Sequence, residues 1–211
     1  GDLEDETWSF SGAGDLITRL RYAVLLDEGR GLGTWSVIAG CKFPTGRHHV
    51  KNSAGEHAEP GITPGTGSYD LILGAAWYKS LQGQALAGGR ASWPLYFSLT
   101  YRANGPGDEG YRLGNVFQAN VGTTYPVFRR WSALVGFDLL VKQRDWKGRT
   151  TEETQKTGGE FLYFSPGALW RITDHWEASS LVQIPVHQHV NQIQIVSRYN
   201  MLASVSYRFQ L

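Results

Sequence analysis

The chain ends on Ala203-Ser204-Val205-Ser206-Tyr207-Arg208-Phe209-Gln210-Leu211, apolar at every second position and polar between. Unbroken two-residue alternation is the pattern of a strand with one apolar and one wet face. A soluble domain seldom closes on its most regular strand, because chain ends fray unless tied down. A transmembrane barrel must, since an open strand edge in hydrocarbon leaves a row of backbone groups unsatisfied.

The same alternation recurs upstream. Ten strands are expected, at Thr7–Ser11, Asp15–Leu26, Thr34–Phe43, Ser68–Ser80, Trp93–Ala103, Tyr111–Tyr125, Trp131–Arg144, Gly159–Arg171, Trp176–His187 and Ile193–Phe209. Most are long for a soluble sheet and suit a tilted membrane crossing, which takes ~9–11 residues plus rim extensions. Leu71, Leu73, Ala75 and Trp77 oppose Asp70; Trp131, Ala133, Val135, Phe137, Leu139 and Val141 oppose Asp138, Lys142 and Arg144. A helix of such sequence would wrap charge around its apolar face. The connections alternate in length. Asp27–Gly33, Leu81–Ser92, Pro126–Arg130 and Thr173–His175 form one set, and Pro44–Gly67, Asn104–Gly110, Asp145–Gly158 and Gln188–Gln192 the other. Short periplasmic turns and longer outer loops are the barrel convention. The expectation is therefore one all-β domain over 1–211, an antiparallel transmembrane β-barrel of ten to twelve strands in a bacterial outer membrane. The aromatics two and four places before Leu211 also resemble the terminal signal read by the barrel-assembly machinery, with Leu where that signal usually has Phe.

Composition agrees. Charged residues are 18% of the 211, below the ~25% of ordinary soluble domains, while Gly (26), Trp (8), Tyr (10) and Phe (9) are plentiful. Net charge is +1, so bulk electrostatics imply no nucleic-acid partner. Cys41 is the single cysteine, which excludes an internal disulfide, a CxxCH haem site and a multi-cysteine zinc site. No signal peptide is visible at Gly1, so a mature or truncated chain is expected.

Charges on the wet faces define the candidate lumen: Arg19, Arg21, Lys42, Arg102, Arg112, Lys142, Arg144, Arg198 and Arg208 against Asp70, Asp138 and Glu177, with Gln183 beside them. Facing lipid near mid-membrane, each basic group would cost ~2–4 kcal/mol, so they are expected to face inward. They either form paired networks in a narrow, partly filled lumen or give a water-filled pore some anion preference. Trp35, Trp77, Trp93, Tyr125, Trp131, Trp170 and Trp176 collect near strand ends. There an apolar ring with one polar tip suits the membrane–water interface, and membrane lipids are the implied partner. His48, His49 and His57 in the longest loop, and His187 (on the wet face with Glu177 and Gln183) and His189 at another outer rim, have no recognised metal spacing and read as solvated. No GxSxG, HExxH or Walker motif is present, so neither an enzyme nor a cofactor is expected.

Six motifs run in order through the chain: Gly12-Ala13-Gly14-Asp15-Leu16, Lys42-Phe43-Pro44-Thr45-Gly46, Thr63-Pro64-Gly65-Thr66-Gly67-Ser68-Tyr69-Asp70, Tyr111-Arg112-Leu113-Gly114, Phe164-Ser165-Pro166-Gly167 and Gln183-Ile184-Pro185-Val186. Together they resemble the MetA-pathway phenol-degradation family of outer-membrane transporters over roughly residues 12–211. The resemblance implies a barrel that passes hydrophobic or aromatic compounds. Relative to the family, the N-terminal region is short by one or two strands. The expected function is a channel for passive movement of small, hydrophobic or aromatic solutes. The alternative is a structural barrel subunit of a cell-surface assembly, docking protein partners at its outer loops.

Overall fold

The computed structural model describes residues 11–27, 31–48, 50, 63–84, 86, 88–107, 110–147, 153–192, 194 and 196–209. They form twelve strands: β1 Leu16–Leu25, β2 Thr34–Phe43, β3 Asp70–Gln84, β4 Arg90–Asn104, β5 Tyr111–Arg112, β6 Val116–Phe128, β7 Trp131–Lys142, β8 Trp146–Lys147, β9 Gly159–Phe164, β10 Gly167–Arg171, β11 Trp176–Val190 and β12 Asn200–Tyr207. Ten belong to one antiparallel sheet in chain order, in which β9 and β10 both lie between β7 and β11 and share a lane. The short β5 and β8 pair with each other. The fold is the all-β antiparallel barrel wall that the alternation predicts.

Register sorts the two faces. Trp35, Trp77, Phe97, Val121 and Phe137 stand opposite one another in turn, as do Ala39, Leu73 and Tyr101, all on the outward side. Leu71, Leu73, Val135 and Phe137 are exposed there. The intervening residues Ser36, Lys42, Asp70, Ile72 and Ala76 are buried on the inner side. Large apolar groups outside and a polar interior invert a soluble sandwich, and this is the arrangement lipid requires.

Nine lanes run from β1 to β12, and among the described residues these two strands pair on one side only. With every neighbour antiparallel, β1 and β12 point the same way. An antiparallel ring therefore takes an odd number of strands between them, and one or three give the ten or twelve expected. The expected strand at Thr7–Ser11 lies outside the described residues apart from Ser11.

Three expected strands are interrupted. Tyr111–Tyr125 splits into β5 and β6 across Leu113–Asn115, because a Cβ at Gly114 would stand 1.8 Å from the Gln143 carbonyl oxygen and no regular ladder fits there. Ser165-Pro166 divides β9 from β10, since proline has no N–H for the ladder. Among the described residues of Ile193–Phe209 the strand is Asn200–Tyr207, with the exposed Arg198 just before it. On the other rim, β3 and β4 run on to Gln84 and Arg90, and β6 and β7 meet across Arg129-Arg130. Both connections are tight, as a short-turn rim should be.

Candidate functional site

At the long-loop rim, three of the sequence motifs meet on two carboxylates. Asp15 accepts from the Gly46 N–H (2.9 Å), the Thr66 N–H (3.0 Å) and the Thr66 hydroxyl (2.9 Å). It thus holds both limbs of the connection between β2 and β3. The limbs touch: a Cβ at Gly46 would come within 2.8 Å of the Gly65 Cα, and the Gly65 N–H donates to Arg47 O at 3.0 Å. Only glycine allows that approach. Lys42 lies between Asp15 (3.2 Å) and Asp70 (2.8 Å), and donates to the Ser68 and Thr66 hydroxyls. Burial pushes the Asp15 carboxyl up in pKa. The N–H groups of Thr66 and Gly46, the Thr66 hydroxyl and Lys42 outweigh it, and the net pKa is below the ordinary value.

The next corner is built alike. Asp145 accepts from the Gly114 N–H (2.7 Å) and the Tyr111 hydroxyl (2.8 Å) and pairs with Lys142 at 3.1 Å. Its own N–H donates to Thr157. Asn104 donates to the Gly114 carbonyl and accepts, through its own carbonyl, from Arg112 Nε at 2.7 Å. Arg112 and Arg144 are therefore exposed rim residues rather than residues deep in the lumen. With Trp146 they line a mouth cavity of about 320 Å³.

Deeper in the wall, Asp138 accepts from Asn120, from Ser165 and from Gln183 (3.0 Å). Ser98 donates on to Asn120, and Asn200 to Gln183. The chain of side chains spans the inner face from β4 to β12, and Asp138 is satisfied by neutral donors alone. At the short-turn rim, Glu177 faces Arg171 and Arg208, both at 3.4 Å. Arg19 and Arg21 project inward from β1 opposite Gly40 and Ile38, with no ionic or hydrogen-bonding partner among the described residues.

All seven expected aromatics lie in the short-turn half. They pair as Trp35–Trp77 (centroids 6.5 Å apart), Trp93–Tyr125 (4.8 Å) and Trp131–Trp170 (5.5 Å, nearly parallel), while Trp176 packs on Tyr207 at 4.9 Å. The Trp77 indole N–H donates to Leu32 O. They form one belt; in the opposite half Phe43 packs edge-on against Tyr69, while Phe161 and Tyr163 stack on the inner face. Among the histidines, His48 contacts the Gly46 carbonyl, His187 and His189 are exposed, and His49 and His57 lie outside the described residues. No group of three potential metal ligands occurs among the described residues.

Asp145 and Asn120 are network members that the sequence does not single out, and Asp15 and Ser165 stand in it only as parts of motifs. Asn120 and Asp145 carry no local signal and are found only through register and long-range hydrogen bonds.

No curated protein matches the chain. The crystal structure of an outer-membrane channel from Pseudomonas putida F1 superposes with a TM-score of 0.69 at 16% identity, covering 93% of this chain and 67% of that one. A family model described as "Putative MetA-pathway of phenol degradation" matches residues 5–187, and the chain belongs to that family.

Proposed function

We propose that this protein is a passive outer-membrane channel for small solutes, hydrophobic or aromatic ones among them. One observation supports it over a plugged structural barrel. Every ion pair among the described residues joins residues on the same or adjacent lanes: Lys42 with Asp15 and Asp70, Arg102 with Asp70, Lys142 with Asp145, and Glu177 with Arg171 and Arg208. The pairs stitch the wall along its circumference, and none crosses the interior. The likeness in fold to a solved channel and the family assignment point the same way. On this reading the long-loop rim is the outer one, the tryptophan belt sits at the periplasmic interface, and the inward polar groups line the path. Conductance across a planar bilayer tests the proposal. Discrete openings are expected from heat-modifiable, folded protein, and silent bilayers from the same preparation would leave only the structural-subunit reading.

A further inference from the structure

We infer that the inward cavity just below the long-loop rim is a subsite for a small organic carboxylate with an apolar body. The inference rests on the channel reading and names the solute class for it. A single register row forms the upper wall. Arg19 stands opposite Gly40, Gly40 opposite Ile72, Ile72 opposite Arg102, Arg102 opposite Val116 and Val116 opposite Lys142. Residues facing one another across a ladder point to the same side, so three cations lie along one inward line, separated by a glycine and two branched aliphatics. Two residues along, Thr100, Gln118 and Leu140 stand opposite one another and form the lower wall.

Together these residues enclose a cavity of about 240 Å³. That is smaller than the ~300–1,000 Å³ of sites for drug-sized ligands, and suits a solute of single-ring size. The walls carry three cations and no carboxylate. Lys142 is matched by Asp145 and Arg102 stands 4.0 Å from Asp70, both acids lying toward the rim. Arg19 has no acidic partner among the described residues, and Arg102 turns its buried Nε toward Asp70. The site is therefore left with an uncompensated positive charge and guanidinium donors whose planar fork fits a carboxylate. Ile72, Val116 and Leu140 offer nothing to chloride or phosphate but can cover a ring or short chain. Cations alternating with branched aliphatics along one wall, with Leu140 below them, select an amphiphilic anion over both a neutral aromatic and an inorganic ion.

Calorimetric titration of detergent-folded protein with benzoate, benzyl alcohol and inorganic phosphate as probes tests this. Benzoate is expected to bind at least ~10-fold more tightly than either control, because the controls lose the charge-assisted pair or the apolar contact. Arg19→Gln is expected to weaken benzoate ~10-fold and leave benzyl alcohol unchanged. Arg19 makes no contact that the fold needs, and heat-modifiable migration verifies the variant. Equal affinities for the three probes, no benzoate binding by the wild type, or no effect of Arg19→Gln would overturn the assignment. Conductance is scored separately. Benzoate binding with silent bilayers removes the channel and keeps the subsite; conduction without benzoate binding removes only the subsite.

Discussion

Replacing Lys42 with Met removes the buried cation that lies between Asp15 and Asp70 at the neck of the longest loop while keeping the length of the side chain. Its side chain is 5% exposed, those of Asp15 and Asp70 6% and 1%. Removing one partner of a buried ion pair costs ~3–5 kcal/mol, because the remaining charge is left uncompensated. Arg102, 4.0 Å from Asp70, offsets part of this, so the expected loss is about 3 kcal/mol. With a denaturant slope of ~1–3 kcal/mol per molar, the urea midpoint falls by ~1–3 M. Tryptophan fluorescence of protein refolded in micelles gives the midpoint. Arg208→Met is the control, since its partner Glu177 is reached by a side chain 65% exposed and the pair contributes at most ~1 kcal/mol. Adding Asp15→Asn and Asp70→Asn to Lys42→Met relieves the buried negative charge and should recover at least half the loss. A Lys42→Met midpoint equal to that of Arg208→Met, or no recovery in the triple variant, would refute the reasoning.

Leu73→Arg and Val135→Arg place a charge on the outward face and should each cost ~2–4 kcal/mol, read as slowed or incomplete folding into liposomes, whereas Arg102→Leu on the inner face should still fold. Deleting Tyr207–Leu211 removes the Tyr207 rung opposite Trp176 and the Arg208 N–H bond to His175 O; the compact unboiled gel band should vanish from outer-membrane fractions. Asp15 has a depressed pKa in the folded chain, so its contribution to stability is complete above the ordinary carboxylate range and is lost as pH falls through the lower folded value. The acid limb of the urea midpoint below about pH 4 should therefore flatten in Asp15→Asn; parallel profiles for the two proteins would contradict this.

The faces of the wall were legible because a sheet has a period of two. Thr34–Phe43 is strand to the residue, and the outward set on β7 is the one that alternation indicates. The interruptions were not legible, because Leu113–Asn115 and Ser165-Pro166 are two or three residues inside longer runs whose period is otherwise two. They are set by contacts distant in sequence, such as that of Gly114 with Gln143, which no local pattern carries. The site was legible in type but not in partnership. Lys42 and Asp70 were expected inside, yet only register reveals that they face each other. The Pro185 bulge in β11 moves His187 opposite Leu162 on the outward side, away from the wet face that unbroken alternation assigned to it. Nor could periodicity foresee that the six motifs converge on only four carboxylates, Asp15, Asp70, Asp138 and Asp145.

The contact of Gly46 with Gly65 means that the chain leaves the wall and re-enters it at nearly the same point. With both ends clamped on Asp15, the length of what lies between them is mechanically uncoupled from the strands on either side. Adding chain to a loop whose ends are already held together costs little, each doubling of length adding only about 0.6 kcal/mol. On the channel reading, an epitope or reporter domain grafted between the two limbs is expected to be displayed outside a barrel that assembles as before.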